Sequence, residues 1–229
     1  MSSFDFEANS LFSGFREIDE GVYFKHYGFD VLEMNEASDD IDTNSFGYIE
    51  EKSMLWQKQI EINGDCIALK SVVDRSLTKE NVEQSTIMAE SLERGLFSKD
   101  CGSSFDDFVE LFKTNSFNNG ENVNNKEFAV DIISNGSLLE LTECVESSEE
   151  IICYVNKMLL DYDGNCDFIG LNADGLVHVI GVVFNDSNGD YVIINDTEND
   201  DGAGRKIELS KFLKAWSSSD YTAITVAWR

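Results

Sequence analysis

An α+β fold, with helices first and an antiparallel sheet after them, is what this sequence predicts, and three observations predict it. Residues 66–113 place apolar side chains at helical spacing. Residues 177–228 hold short apolar runs of strand length, rich in β-branched residues, and Asp-Gly, Asn-Gly and Gly-Asp pairs separate them. Helices gathered in one part of a chain and strands in another give a segregated α+β arrangement by the layer rules.

In the helical part, Asn63-Gly64-Asp65 is turn chemistry and the run Cys66-Ile67-Ala68-Leu69-Lys70-Ser71-Val72-Val73 has helical periodicity, so Cys66 falls in a first turn. A second helix is expected from Thr78 through Val82, Ile87, Met88 and Leu92, stopped by Gly95. Ser104 can cap a third, with Phe105, Phe108, Val109 and Phe112 on one face. Residues 115–125 read as an asparagine-rich loop. A fourth helix is expected from Ser148, with Glu149 and Glu150 near its positive end and Ile151, Ile152, Val155, Met158 and Leu159 along it. After Asp163-Gly164 the period changes, and residues 168–171, 177–184, 191–194 and 221–228 read as strands, with a short helix over 210–216 before the last.

Residues 1–55 read as an N-terminal extension, a prosegment or docking arm, and residues 56–229 as the domain that carries the chemistry. In the extension, aromatic clusters (Phe4, Phe6, Phe12 and Phe15; Tyr23, Phe24, Tyr27 and Phe29) alternate with acidic stretches. The start of the chain has no basic segment followed by an apolar run, so a cytoplasmic protein is expected, or one exported without a cleavable signal peptide. No stretch approaches the roughly 20 apolar residues of a membrane-spanning helix. The five cysteines (Cys66, Cys101, Cys144, Cys153 and Cys166) include no Cys-x-x-Cys pair, so reduced thiols are expected rather than a disulfide framework or a zinc ribbon. The acidic run over 196–204 lacks the glycine and glutamate of a calcium loop, and no metal or cofactor is expected.

Charge excludes whole classes of partner. The chain has 17 basic and 44 acidic side chains and a net charge of −27. Nucleic acid and anionic lipid both require a basic footprint, so neither is expected, whereas a cationic peptide or protein suits such a field.

Thiol chemistry is the candidate activity. A thiol attacks as thiolate, and a helix N-terminus or an imidazole is the usual device that ionises it. Cys66 has the first device. The chain has two histidines, His26 in the extension and His178 within Val177-His178-Val179-Ile180-Gly181-Val182-Val183-Phe184. A lone strand histidine is most often a core group with its hydrogen bond satisfied. Here the next strand ends in Asn195-Asp196, and an antiparallel neighbour joined through residues 185–190 brings a side chain from that pair near His178. Asp196 is then placed to orient the ring, giving a Cys66–His178–Asp196 triad.

The same segments carry a resemblance. Trp56-Gln57-Lys58-Gln59, Asn63-Gly64-Asp65-Cys66, Val177-His178-Val179-Ile180-Gly181-Val182, Asp190-Tyr191-Val192-Ile193-Ile194-Asn195-Asp196 and residues 207–216 resemble the papain-like family that includes the leader-cleaving peptidase domains of bacteriocin exporters and their stand-alone bacterial relatives. The resemblance implies a papain-like cysteine proteinase fold over residues 55–229. It also implies Cys66 as nucleophile, His178 as base, Asp196 as third member and Gln59, with Gln57 as its rival, as oxyanion donor. Gln59 stands seven residues before Cys66 where about six is usual, and Thr197 stands where proline commonly follows the Asn-Asp pair.

Three functions follow as expectations. The first is thiol-dependent hydrolysis of a peptide amide. The second is deamidation or acyl transfer at the same site. The third is a papain-like binding module without catalysis, taking a basic partner. For the remaining cysteines, Cys144, Cys153 and Cys166 are expected as small core residues and Cys101 as an exposed loop thiol.

Overall fold

The computed structural model describes residues 43–113, 128–147, 149–161, 174–184 and 189–228. His26, Cys166, the 115–125 loop and the 168–171 strand lie outside them. The chain divides into a unit over Met1–Ser45 and a compact unit over Phe46–Arg229.

Four helices come first: α1 (Thr43–Met54), α2 (Asp65–Thr78), α3 (Gln84–Glu93) and α4 (Phe105–Lys113). Strands and short helices follow: β1 (Phe128–Ile133), α5 (Leu138–Glu146), β2 (Glu150–Asn156), α6 (Lys157–Asp161), β3 (Asp174–Val183), β4 (Tyr191–Asn195), β5 (Arg205–Glu208), α7 (Leu209–Ser217) and β6 (Ala223–Trp228). The sheet order is β1-β6-β2-β3-β4-β5, every pair antiparallel. The α+β order expected from the sequence is the order observed.

Both faces of this sheet are covered, which explains its composition. Along β2, Ile152 enters one core cluster with Leu69, Val73, Phe108 and Phe112, while Ile151, Cys153 and Val155 enter a second with Leu160, Phe212 and Trp216. Period-2 alternation thus sends successive β2 residues to opposite cores, and nearly every residue of the strand is apolar.

That double burial corrects the fourth helix expected at residue 148. Glu150, Ile151, Ile152 and Val155 lie on β2, paired with β3 and β6. The helix in this region is α5, whose capping box has Ser137 Oγ accepting from Glu140 N–H and Glu140 accepting from Ser137 N–H. Thr78 likewise ends α2 rather than opening a helix, and α3 starts at Gln84. The Ser104 helix is as expected, with Asp107 N–H donating to Ser104 Oγ at 3.2 Å.

The loop after β4 folds against the end of α1. Trp56 Nε1–H donates to the Asp196 carbonyl at 2.8 Å, and Asp196 N–H donates to the Gly202 carbonyl at 2.9 Å. A Cβ on Gly202 would lie 1.8 Å from the Asp196 oxygen and 2.8 Å from the Trp56 nitrogen. Neither the backbone nor the indole can retreat while keeping its bond. Gly202→Ala is therefore expected to destabilise the domain by about 3 kcal/mol, the upper range for overpacking, read as a lower urea midpoint at unchanged m.

Candidate active site

The turn before α2 is tight: Gly64 N–H donates to the Glu61 carbonyl at 3.0 Å, and a Cβ on Gly64 would lie 3.0 Å from that same oxygen. Asp65 opens the helix and its carboxylate accepts from Cys66 N–H at 2.8 Å. Cys66 is at the helix start, as expected from the sequence, but it is 2 % exposed and belongs to the core beneath α2.

Its sulfur meets Ser103 Oγ at 3.3 Å. Ser103 gives its own hydroxyl proton to the Leu96 carbonyl at 2.6 Å, so the thiol is the donor in the Cys66–Ser103 bond. Burial, and next the charge of Asp65, push the Cys66 thiol up to about 12. The Ser103 hydrogen bond and the N–H groups of Ile67 and Cys66 pull the other way without offsetting them.

His178 is fully buried, and its Nε2 bonds Glu150 Oε2 at 2.6 Å. Its Nδ1 has no partner among the described residues. Glu150 also takes the Lys52 ammonium at 2.9 Å and the Ser76 hydroxyl at 2.6 Å. Ser76 lies ten residues beyond Cys66 on the same helix, about 15 Å along its axis at 1.5 Å per residue. The imidazole thus serves the C-terminal end of α2, and the expected Cys66–His178 bond is not formed.

Burial holds the His178 imidazole below its ordinary value, against the pull of Glu150 and with the help of Lys52. The ring is therefore neutral, donating Nε2–H to an ionised Glu150. Burial alone would raise that carboxyl, but the hydrogen bond from His178, the Lys52 ammonium and the Ser76 hydroxyl bring it down to about 2.

Asp196 does not reach His178 either. The strand register decides this: the Cα partner of His178 is Asn195. Asn195 donates from Nδ2 to the Lys52 carbonyl at 2.9 Å and accepts from Gly204 N–H at 3.0 Å. One residue on, Asp196 bonds Lys157, Asn199 Nδ2 at 2.7 Å and Arg205 at 3.1 Å. Burial opposes its ionisation, but the charge and hydrogen bond of Lys157, with Asn199 and the Glu198 N–H, hold its carboxyl below the usual range. The slip of one position from Asn195 to Asp196 separates the expected pair.

Lys157 is the residue that sequence reasoning missed in this region. Its stem lies flat on β3: a Cβ on Gly175 would sit 2.5 Å from Lys157 Cγ and 2.6 Å from Cε. Its ammonium is also 3.9 Å from Glu198, and its charge works on Asp65, which burial raises while Lys157 and the N–H groups of Cys66 and Leu176 lower it. A Lys157–Asp196–Arg205 ion cluster thus stands close to the head of α2. A glycine at the start of β3 was its one visible trace in the sequence.

The glutamines are engaged locally. Gln59 Nε2 donates to the Ile62 carbonyl at 3.0 Å and its backbone N–H to the Thr197 carbonyl at 2.9 Å. Gln57 Oε1 accepts from Gln84 Nε2 at 3.2 Å and Ser71 at 3.4 Å. Of the other thiols, Cys153 is core, Cys144 is partly buried and Cys101 is exposed. Among the described residues, no group of three or more His, Cys, Asp and Glu side chains is placed to hold a metal ion. No described helix is long and apolar enough to cross a membrane.

The architecture matches a solved structure, a candidate C39-like peptidase from Bacillus anthracis. It covers 76 % of this chain and 94 % of that one, at a TM-score of 0.51 and 15 % sequence identity. The fold is that of a C39-like peptidase. The resemblance read from the sequence therefore holds at the level of fold. No family model and no curated protein matches the sequence.

A buried thiol that donates a hydrogen bond should alkylate slowly. With iodoacetamide at neutral pH, exposed Cys101 is expected to react well before Cys66, by peptide mass spectrometry. His178→Ala should leave the pH profile of Cys66 labelling unchanged in the native state. An inflection near or below the free-thiol value of about 8.5 that moves with that substitution would contradict the geometry.

Proposed function

We propose that this chain uses the C39-like fold as a binding module for a cationic peptide or protein, without thiol catalysis. The observation that carries the reading is that nucleophile and base candidates are committed to different buried networks, Cys66 to Ser103 and His178 to Glu150. Activation of a thiol by an imidazole needs the two in direct or water-bridged reach. Charge supports the class of partner: at −27, the chain presents a field that attracts positive ligands over several ångströms and weakens with salt.

A second reading is thiol-dependent amide hydrolysis by Cys66, His178, Asp196 and Gln59, or deamidation or acyl transfer at the same site. The shared fold with a candidate peptidase favours it. It requires His178 to leave Glu150 and Asp196 to leave Lys157, each abandoning a buried charge. Breaking such a pair on one side costs about 3–5 kcal/mol.

One experiment separates the two readings. The chain is titrated calorimetrically with a lysine-rich peptide at low and high salt, and the mixture is then analysed by intact mass after addition of a peptidyl vinyl sulfone. The binding module predicts saturable association that falls with salt, an uncleaved peptide and no adduct. A vinyl sulfone adduct on Cys66 that His178→Ala abolishes would establish the hydrolase, and absence of association at low salt would remove the cationic partner.

A further inference from the structure

The buried network around Glu150 does more than hold a histidine, because it is also the seat of α1. Lys52, on the last turns of α1, is 3 % exposed and gives its ammonium to Glu150 on β2. The Lys52 carbonyl accepts from Asn195 on β4, the Cα partner of His178. Ile49 lies against Gly181 on β3, where an added Cβ would come within 2.9 Å of its Cδ1. Side chain, main chain and packing of α1 all converge on the strip of sheet that surrounds His178.

The charges in this strip balance in one protonation state only. Facing His178 are Glu150 from β2 and Lys52 from α1, with the uncharged Ser76 of α2 and Asn195 of β4 around them. A neutral imidazole leaves one cation on one anion. Its Nδ1 is then a buried acceptor with no partner among the described residues. A proton taken there creates an N–H without an acceptor and a second positive charge beside Lys52, with a single carboxylate to share. Unpaired buried charge is among the costliest states a core can hold.

We propose that Lys52, Glu150 and His178 form an acid-release latch, in which protonation of His178 at Nδ1 frees α1 from the sheet. The proton comes from solvent and bonds to Nδ1 in the opened state, where the ring meets water. The Nε2–H stays on the ring throughout, so no other group is consumed. This inference stands apart from the reading of the residues at the head of α2.

The sign follows from linkage. With α1 docked, burial, opposed by Glu150 and aided by Lys52, holds the imidazole below its ordinary value. With α1 released, the ring returns toward about 6.5. The opened state therefore binds more protons, and the opening constant of α1 rises as the pH falls below about 6.5, by at most about tenfold per unit for one proton. Glu150, held down to about 2 when docked, adds its own opening term once the pH falls below the free-carboxylate value of about 4.5. Between those limits the histidine acts alone.

Native-state hydrogen exchange of the whole chain reads this directly, with peptides from residues 46–54 followed from about pH 7 to about pH 5 and corrected for intrinsic exchange. The expected result is an opening constant for that segment that climbs as the pH falls, by up to about tenfold over the last unit, while β2 and β3 stay protected. In His178→Gln, whose amide can still donate to Glu150 but cannot titrate, the climb should vanish. Should that variant fold poorly, Lys52→Met serves. With the competing cation gone, an imidazolium pairs with Glu150, and the climb should shrink. A wild-type segment whose opening constant does not change with pH, an equal climb in either variant, or β3 exchanging in step with α1 would each overturn the latch.

Discussion

The Glu150 carboxylate, buried at the first position of β2, is the group on which the arrangement of this domain depends. An ionised carboxylate in a protein core is tolerated only when its oxygens are filled, and Glu150 fills its own from three different elements: Lys52 of α1, Ser76 of α2 and His178 of β3. Each donor fixes one neighbour against the sheet. The same contacts decide what His178 does not do. Its donor nitrogen is spent on Glu150, the other has no hydrogen-bond partner among the described residues, and Cys66 lies at the opposite end of α2, its thiol hydrogen-bonded to Ser103.

Among the described residues, the head of α2 has ions beside it and no imidazole. Lys157 crosses Gly175 to reach Asp196, Arg205 joins from β5, and Asp65 and Glu198 stand near the same ammonium. These groups satisfy one another and hold the 196–204 loop onto the domain. The C39-like fold is thus present with Cys66, His178 and Asp196 each engaged in a separate structural interaction.

Much of the fold was legible, and the reasons differ by element. The runs that became β3, β4 and β6 were legible because β-branched residues are bounded by turn pairs. The helices α2, α4 and α7 were legible from their apolar stripes. β2 was misread because Ile151, Ile152, Val155, Met158 and Leu159 also fall at helical spacing, and a strand buried on both faces has no polar alternation to reveal it. β5 has only four residues, three of them charged, and its role appears only once β4 lies beside it. The candidate site was legible as residue types but not as geometry. Asn195 and Asp196 are equivalent in a sequence, and the register of β4 on β3 gives the place beside His178 to the first of them. Glu150 was read as a helix-start acid, so the natural partner of His178 was assigned elsewhere.

The most direct test of this account is the environment of one imidazole. In a His26→Gln chain His178 is the single histidine, so its ring protons form one NMR resonance whose shift against pH reports protonation without assignment. Bonded to Glu150 in a dry core and independent of the thiol, His178 should remain neutral with its proton on Nε2 well below the ordinary midpoint of about 6.5, and Cys66→Ala should leave its resonance unmoved. An imidazolium persisting at or above that midpoint, with a midpoint that drops when Cys66 is replaced, would show a thiolate–imidazolium pair and contradict the account.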